Sequence, residues 1–330
     1  MLPRTYLVIG SNCFTGSHIV AALMRDHPDN QVIGVSRSPE YQSIFLPYKG
    51  YPAGNFRFVQ IDIVRHFEAL TSLLEEFRPE IVINVAALSE VGLSNERPVE
   101  YFETNTLSVV RLCNYLRSCK YLNRYVHISS AEVFGSCEQA TEETGFRPST
   151  PYAVSKAASD MYLNTLMQNH GFPVLIIRST NVYGKHQQLF KIIPRTIIYL
   201  KLKKMIELHG GGKAIKSFVH ISDVVNGLML ALAKGGAGTF HFSAPSQKTI
   251  AEIVMHICQK MQFEFSQSTL VVGERLGQDK AYIIDSKKSF NELGWSPQIN
   301  FSEGLDDVID WVNINWETII KQPLVYIHKV

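Results

Sequence analysis

Tyr152 and Lys156, in the run Ser149-Thr150-Pro151-Tyr152-Ala153-Val154-Ser155-Lys156, are the residues of this chain best suited to proton chemistry. Four apart on a helix, their side chains share one face. A lysine ammonium ~5 Å from a phenol, at an effective dielectric of about 20, favours the phenolate by ~3 kcal/mol. That is about two pK units, enough to carry a tyrosine from about 10 towards neutrality. Such a group accepts a proton from a sugar or alcohol hydroxyl near neutral pH. Taken alone, the pair also fits an exposed helix contact worth ~0.3 kcal/mol. Its company decides between the two.

The elements that must position this pair begin near the N-terminus. Leu7-Val8-Ile9 reads as a buried strand, and a helix starts around Ser17, with Ile19, Val20, Leu23 and Met24 at helical spacing. Between them lies Gly10-Ser11-Asn12-Cys13-Phe14-Thr15-Gly16. A strand, a tight glycine turn and a helix N-terminus form a pyrophosphate cradle, because unpaired backbone N–H groups face the anion. Gly10, Asn12, Cys13, Phe14, Thr15 and Gly16 are therefore expected at a dinucleotide, and a second strand, Gln31 to Val35, completes the βαβ unit. Ser36 and Arg37 follow that strand, where NAD sites usually carry an acidic residue. Arg37 can instead meet a 2′-phosphate, so NADP is favoured over NAD. The competing reading is a solvated arginine neutralised by Glu40.

Strands and helices continue to alternate. Phe56 to Ile61 is a strand ending at Asp62 and Ile63, suitably placed for the adenine, and Phe67 to Phe77 is helical. Ile81-Val82-Ile83 opens into Asn84-Val85-Ala86-Ala87, Leu107 to Leu116 is helical, and Tyr125 to Ile128 leads into Ser129-Ser130-Ala131-Glu132. With Val174 to Ile177 as a further strand, the pattern predicts an α/β fold: a Rossmann-type doubly wound parallel sheet with a smaller mixed α/β substrate lobe. The expected division is 1–180, completed by 220–244, for the dinucleotide, and 181–219 with 245–330 for the lobe. Ligands in such sheets lie past the carboxyl ends of the strands, which puts 129–132 and 152–156 at the same edge.

These motifs resemble those of the extended short-chain dehydrogenase/reductases that modify nucleotide-linked sugars, over essentially the full length. Within them the chain is most similar to the nucleotide-sugar 4,6-dehydratases of the NAD-dependent epimerase/dehydratase group. The shared pieces are Gly10 and Gly16, Asn84 to Ala87, Ser129-Ser130 before Glu132-Val133-Phe134-Gly135, Tyr152 with Lys156, and Arg178 to Gly184. More specific to the dehydratases are Lys191-Ile192-Ile193-Pro194 and Arg275 to Lys280. The resemblance implies transient oxidation at C4 with Tyr152 as base, removal of the C5 proton by Glu132, and Ser130 and Lys156 completing the catalytic set. It further implies Ala86, Ala87 and Asn105 at the cofactor, and Ser89, Ser130, Asn181, Lys191, Ile192, Lys216 and Arg275 at the nucleotide sugar. It also implies a homodimer built on a four-helix interface, with Leu107 to Leu116 pairing against the Tyr152 helix.

Three departures bear on the chemistry. Cys13 replaces a glycine of the turn, Lys216 stands where an arginine is common, and Ala131 takes the place of the acid that assists loss of the 6-hydroxyl. Ala131 keeps open a 4-epimerase or a uronate decarboxylase. A cofactor-binding sensor without turnover is a third possibility.

Composition narrows the classes. A chain of 330 residues with 45% hydrophobic content buries a large core, and a formal net charge of +2 gives no bulk attraction to nucleic acid or membrane. No apolar run reaches membrane-spanning length, and Met1 to Tyr6 does not resemble a signal peptide. Cys13, Cys113, Cys119, Cys137 and Cys258 are odd in number and lack metal-ligand spacing, so no metal and a reduced, cytoplasmic protein are expected. His127, His209 and His220 read as structural.

Overall fold

Short, wholly apolar runs such as Leu7-Val8-Ile9 are stable as strands only where helices cover both faces. The computed structural model, which describes residues 4–26, 28–52, 54–234, 236–274 and 281–328, has that arrangement. Seven strands form the main sheet: β1 (Thr5–Ile9), β2 (Gln31–Ser36), β3 (Phe56–Gln60), β4 (Ile81–Asn84), β5 (Arg124–Ile128), β7 (Val174–Ser179) and β11 (Gly238–Phe242). Their order is β11-β7-β5-β4-β1-β2-β3, every pair parallel. The order reverses between β1 and β4, so a crevice opens there past the carboxyl ends.

Successive side chains of one strand serve opposite layers. Val8 packs with Ile19, Val20 and Leu23 of the Phe14–Asp26 helix and Leu228 of the Ile221–Lys234 helix. Leu7 and Ile9 face Leu70, Val109, Leu112 and Leu163 from the Phe67–Phe77, Ser108–Leu116 and Pro151–His170 helices. A wholly buried leucine such as Leu23 contributes ~2 kcal/mol, several times an exposed ion pair such as Arg57–Glu76. Packing, not surface charge, sets where these helices lie.

The smaller lobe has its own core around Ile193, Ile197, Ile253, Leu305 and Trp311. Its strands are short: β8 (Asn181–Tyr183), β10 (Ile215–His220) and β12 (Gln247–Thr249) form one sheet, and β9 (Ile206–His209) pairs with β13 (Thr269–Val272). A third small sheet, β6 (Cys137–Ala140) with β14 (Tyr282–Ile284), joins chain that follows β5 to chain near the C-terminus.

Two boundaries differ from the sequence reading. The first helix begins at Phe14, three residues before Ser17, because the Cys13 carbonyl already accepts the Ser17 N–H at 2.8 Å. The helix expected from Leu107 begins at Ser108 and is preceded by a π-type turn, Glu103–Leu107. That turn brings Asn105 and Thr106 against Ser155, where the Asn105 amide donates to Ser155 Oγ at 3.0 Å and Thr106 Oγ1 to its carbonyl at 2.9 Å. No described helix is long and apolar enough to cross a membrane.

Candidate active site

The glycine turn is defined by what cannot fit in it. Gly10 has φ +92°, and a Cβ there would lie 2.7 Å from the Ala86 nitrogen; one on Gly16 would lie 2.2 Å from the Gly10 carbonyl oxygen. Both positions therefore demand glycine. Cys13 is accommodated because its thiol takes part in the turn: Sγ accepts the Gly16 N–H at 3.2 Å, and burial pushes the thiol up to about 11. Ser36 is spent here too, its Oγ accepting the Asn12 N–H at 3.0 Å. The Asn12 amide ties the turn to the carbonyls of Ser38 and Pro39.

A cleft of about 500 Å³ runs from this turn along the strand ends. Gly10, Asn12, Cys13 and Phe14 line it, together with Ser36, Arg37, Asp62 and Ile63 and with Ala86, Ala87 and Ser89. Asp62 Oδ1 accepts the Val64 and Arg65 N–H groups, which fixes that loop. Thr15, Gly16 and Asn105 do not line the cleft. Asn105 is fully buried, its amide bonded to Leu88 N, Leu88 O and Ser155, so it holds the 86–90 loop rather than reaching the cleft itself. A cradle that a single Cβ would fill, opening on a groove across four strand ends, fits a dinucleotide.

Glu40 does not neutralise Arg37. Its carboxylate accepts from the Tyr48 hydroxyl at 2.8 Å and the Lys49 ammonium at 3.2 Å. Arg37 makes no side-chain hydrogen bond or ion pair among the described residues; its charge acts on the Tyr326 phenol. Tyr326 belongs to a wall that the sequence did not reveal. Gln322, Pro323 and Val325 to Ile327 line the same cleft, with Tyr326 edge-on to Phe190 and His328 donating to or accepting from Glu100 at 2.6 Å.

At the carboxyl end of β5 the helix Pro151–His170 starts on Thr150, whose hydroxyl accepts the Ala153 N–H, with Pro151 in the first turn. Tyr152 and Lys156 both lie on its buried face. Tyr152 is hydrogen-bonded to Ser130, and Ser130 Oγ accepts the Glu132 N–H at 3.2 Å. Ser130, Glu132, Tyr152 and Lys156 thus converge at one strand end.

Here the sequence expectation for Tyr152 is corrected. Burial, and then the negative charge of Glu132, push its phenol up, not towards neutrality. Lys156 does not offset this, because its ammonium is committed elsewhere: Nζ donates to the Ile128 carbonyl at 2.7 Å and lies 3.2 Å from His127 Nε2. Burial lowers Lys156 to about 8. Beneath it, Asp160 Oδ2 accepts from Ser129 Oγ and Arg178 Nε, both at 2.8 Å. His127, Asp160 and Arg178 were not singled out for chemistry in the sequence. The available signal was the alternation of β5, which puts Tyr125, His127 and Ser129 on one face.

The residues expected at the substrate fall into separate groups. Asn181 Oδ1 accepts from the Tyr282 hydroxyl at 2.8 Å, and Lys216 Nζ sits 3.9 Å from the Tyr282 ring centroid. Lys191 pairs with Glu90 across the cleft, next to exposed Ser89, and Ile192 opens the Ile192–Lys201 helix. Arg275 to Lys280 lie outside the described residues. Ala131 is wholly buried against Val133, Phe134 and Ala157, so this position presents a methyl group to an apolar cluster. Among the described residues no cluster of His, Cys, Asp or Glu suits a metal ion.

The profile of the GDP-mannose 4,6 dehydratase family matches residues 7–308. The chain belongs to that family. Among its relatives, the mouse dTDP-D-glucose 4,6-dehydratase is 29% identical over 95% of this chain and 90% of its own. The dTDP-glucose 4,6-dehydratase of Streptomyces venezuelae, crystallised with NAD and TYD, superposes with a TM-score of 0.88 at 30% identity, covering 95% of this chain and 98% of that one. The Thermotoga maritima UDP-glucose 4-epimerase shares the fold at a TM-score of 0.85 and 22% identity, over 94% and 99% of the two chains.

Proposed function

We propose that this protein is a nucleotide-sugar 4,6-dehydratase that uses a nicotinamide dinucleotide and converts a nucleotide hexose to its 4-keto-6-deoxy derivative. The observation that carries the reading is the convergence of Ser130, Glu132, Tyr152 and Lys156 at the end of β5, in a chain whose relatives bear that name. The cleft residues from Gly10 to Phe14, with Asp62, Ala86 and Ala87, would hold the dinucleotide. A bound oxidised nicotinamide supplies a hydride acceptor that carries positive charge.

A hydroxyl leaves carbon poorly unless a neighbouring ketone acidifies the adjacent C–H. Tyr152 therefore takes the O4 proton as C4 is oxidised, with the Ser130 hydrogen bond drawing its phenol down against burial. The Glu132 carboxylate then removes the C5 proton. As a carboxylic acid it next protonates the departing 6-hydroxyl, so water is lost without a second acid at position 131. With a dinucleotide held in the cleft, the hydride taken from C4 would end at C6 while C5 takes a proton from solvent, with no net consumption of a reductant. Incubation with a panel of nucleotide hexoses followed by mass spectrometry tests this: loss of one water is expected, and an isomer of unchanged mass contradicts it. Ala131 favours that second outcome, a 4-epimerase, as the alternative reading.

The finer assignments are part of the same proposal. Arg37, with Glu40 engaged elsewhere, supports NADP over NAD. Asn181, Lys191 and Lys216 are assigned to the nucleotide sugar, and 1–180 with 220–244 to the dinucleotide. Val99, Leu107, Val154 and Met161 are exposed apolar residues on the helices between 98 and 170, which supports a homodimer through those helices. Five free cysteines support a reducing, cytoplasmic location.

A further inference from the structure

We propose that His127 is a positioning residue for the proton chemistry: as a neutral imidazole it accepts a hydrogen bond from Lys156 and keeps that lysine charged in a buried site. The inference rests on the reading of Tyr152 and Lys156 given above. Lys156 is 2% exposed and His127 1%. A buried ammonium needs acceptors for its N–H groups, or it sheds its proton. Lys156 has two, the Ile128 carbonyl at 2.7 Å and His127 Nε2 at 3.2 Å. Only one of the two is a side chain that evolution can change.

The groups around the pair fix its protonation. Facing Lys156 are His127 and the Ile128 carbonyl from β5 and, on its own helix, Asp160. Facing His127 are Lys156, Arg178 from β7, and Asp160, whose Oδ1 lies 3.9 Å from Nε2; Tyr125 stacks beside it on the same strand. Arg178 is itself held by Asp160 and by His241 of β11. Burial and the two cations push His127 well below its ordinary value, so the ring is neutral. An imidazole that accepts at Nε2 carries its proton on Nδ1. Beside the two cations, Lys156 and Arg178, lies the carboxylate of Asp160, and the Glu142 carboxylate also interacts with Arg178. A protonated His127 would add a third cation and withdraw the acceptor; an apolar side chain would leave an N–H of Lys156 unsatisfied. Both changes drive the lysine towards the neutral amine.

The test compares His127→Leu with His127→Gln, whose amide oxygen reaches the place of Nε2. For the parent, kcat is expected to fall as pH rises through the Lys156 range near about 8. His127→Leu should move that alkaline limb down by about one pH unit, the effect of one lost hydrogen bond to a charged group, and so lower kcat about fivefold at pH 8 and about tenfold above it. KM for the nucleotide sugar and dinucleotide content should stay within about threefold. His127→Gln should restore most of the rate and the position of the limb. If the leucine variant does not fold, His127→Asn, whose amide is too short to reach Lys156, takes its place with the same expected shift. An unmoved alkaline limb in a folded Leu or Asn variant overturns the proposal, as does equal loss in the Gln variant. Tyr152→Phe run alongside separates the failures: turnover retained there removes the reading of the site, and this inference with it.

Discussion

The glycine turn and the Tyr152 centre lie at the carboxyl edge of one sheet, past β1 and β5 with β4 between them, yet they are built on different principles. Around Gly10 and Gly16 the structure is made by exclusion: a Cβ at either position meets backbone at 2.7 or 2.2 Å. Nearly everything the turn needs is contained in seven consecutive residues. Around Tyr152 the structure is made by partnership. Ser130, His127, Asp160 and Arg178 come from β5, the loop after it, a helix and β7. The contrast is between a site that tolerates no added atom and one that tolerates no lost partner.

The largest expected effect is at the second region. Tyr152→Phe removes one oxygen and should lower kcat by about 10²–10⁴-fold while leaving the melting temperature and dinucleotide content near those of the parent. Turnover within a few-fold of the parent would take Tyr152 out of the mechanism. The first region should respond in the opposite way. Gly10→Ala forces both a left-handed backbone and a clash with Ala86, at ~1–3 kcal/mol, so the variant should lose dinucleotide and thermal stability together. Calorimetry that found binding and melting unchanged would break the comparison.

Smaller effects sharpen it. Arg37→Ala should weaken NADP by about 10- to 100-fold, the worth of a charge-assisted contact to a phosphate, and leave NAD within about threefold. Equal losses for both would mean that Arg37 does not read a 2′-phosphate. Least affected should be a change on the outer helix faces. Met161→Glu, on a residue 59% exposed, should leave the monomer folded and shift light scattering at micromolar concentration from dimer to monomer. A monomeric parent rejects the interface.

The same contrast explains what could be read from the sequence. The parallel sheet follows from runs such as Leu7-Val8-Ile9 and Ile81-Val82-Ile83, because period and apolar character are local properties. The turn was legible for the same reason, and the helix start was misjudged by three residues only because Cys13, not Gly16, supplies the first helical acceptor. Tyr152 and Lys156 were legible as a pair, but the electrostatics between them were not. Spacing on a helix says that two side chains share a face; it does not say that Lys156 will turn to His127 or that Glu132 will act on the phenol. The bonds of Asn105 to Leu88 and Ser155 were hidden likewise, since only the π-type turn reveals them. The wall around Tyr326, almost three hundred positions from Arg37 in the chain, has no local signature at all.

The central claim is that oxidation at C4, elimination across C5 and C6, and reduction at C6 occur at one site with one hydride. Its most direct test is a nucleotide hexose deuterated at C4, turned over in ordinary water and analysed by mass spectrometry and NMR. The account predicts a product that has lost one water and carries the deuterium at C6, with a solvent proton at C5. Glu132→Gln should form none of it. An isomer of unchanged mass with the deuterium back at C4 would contradict the account and establish epimerisation in its place.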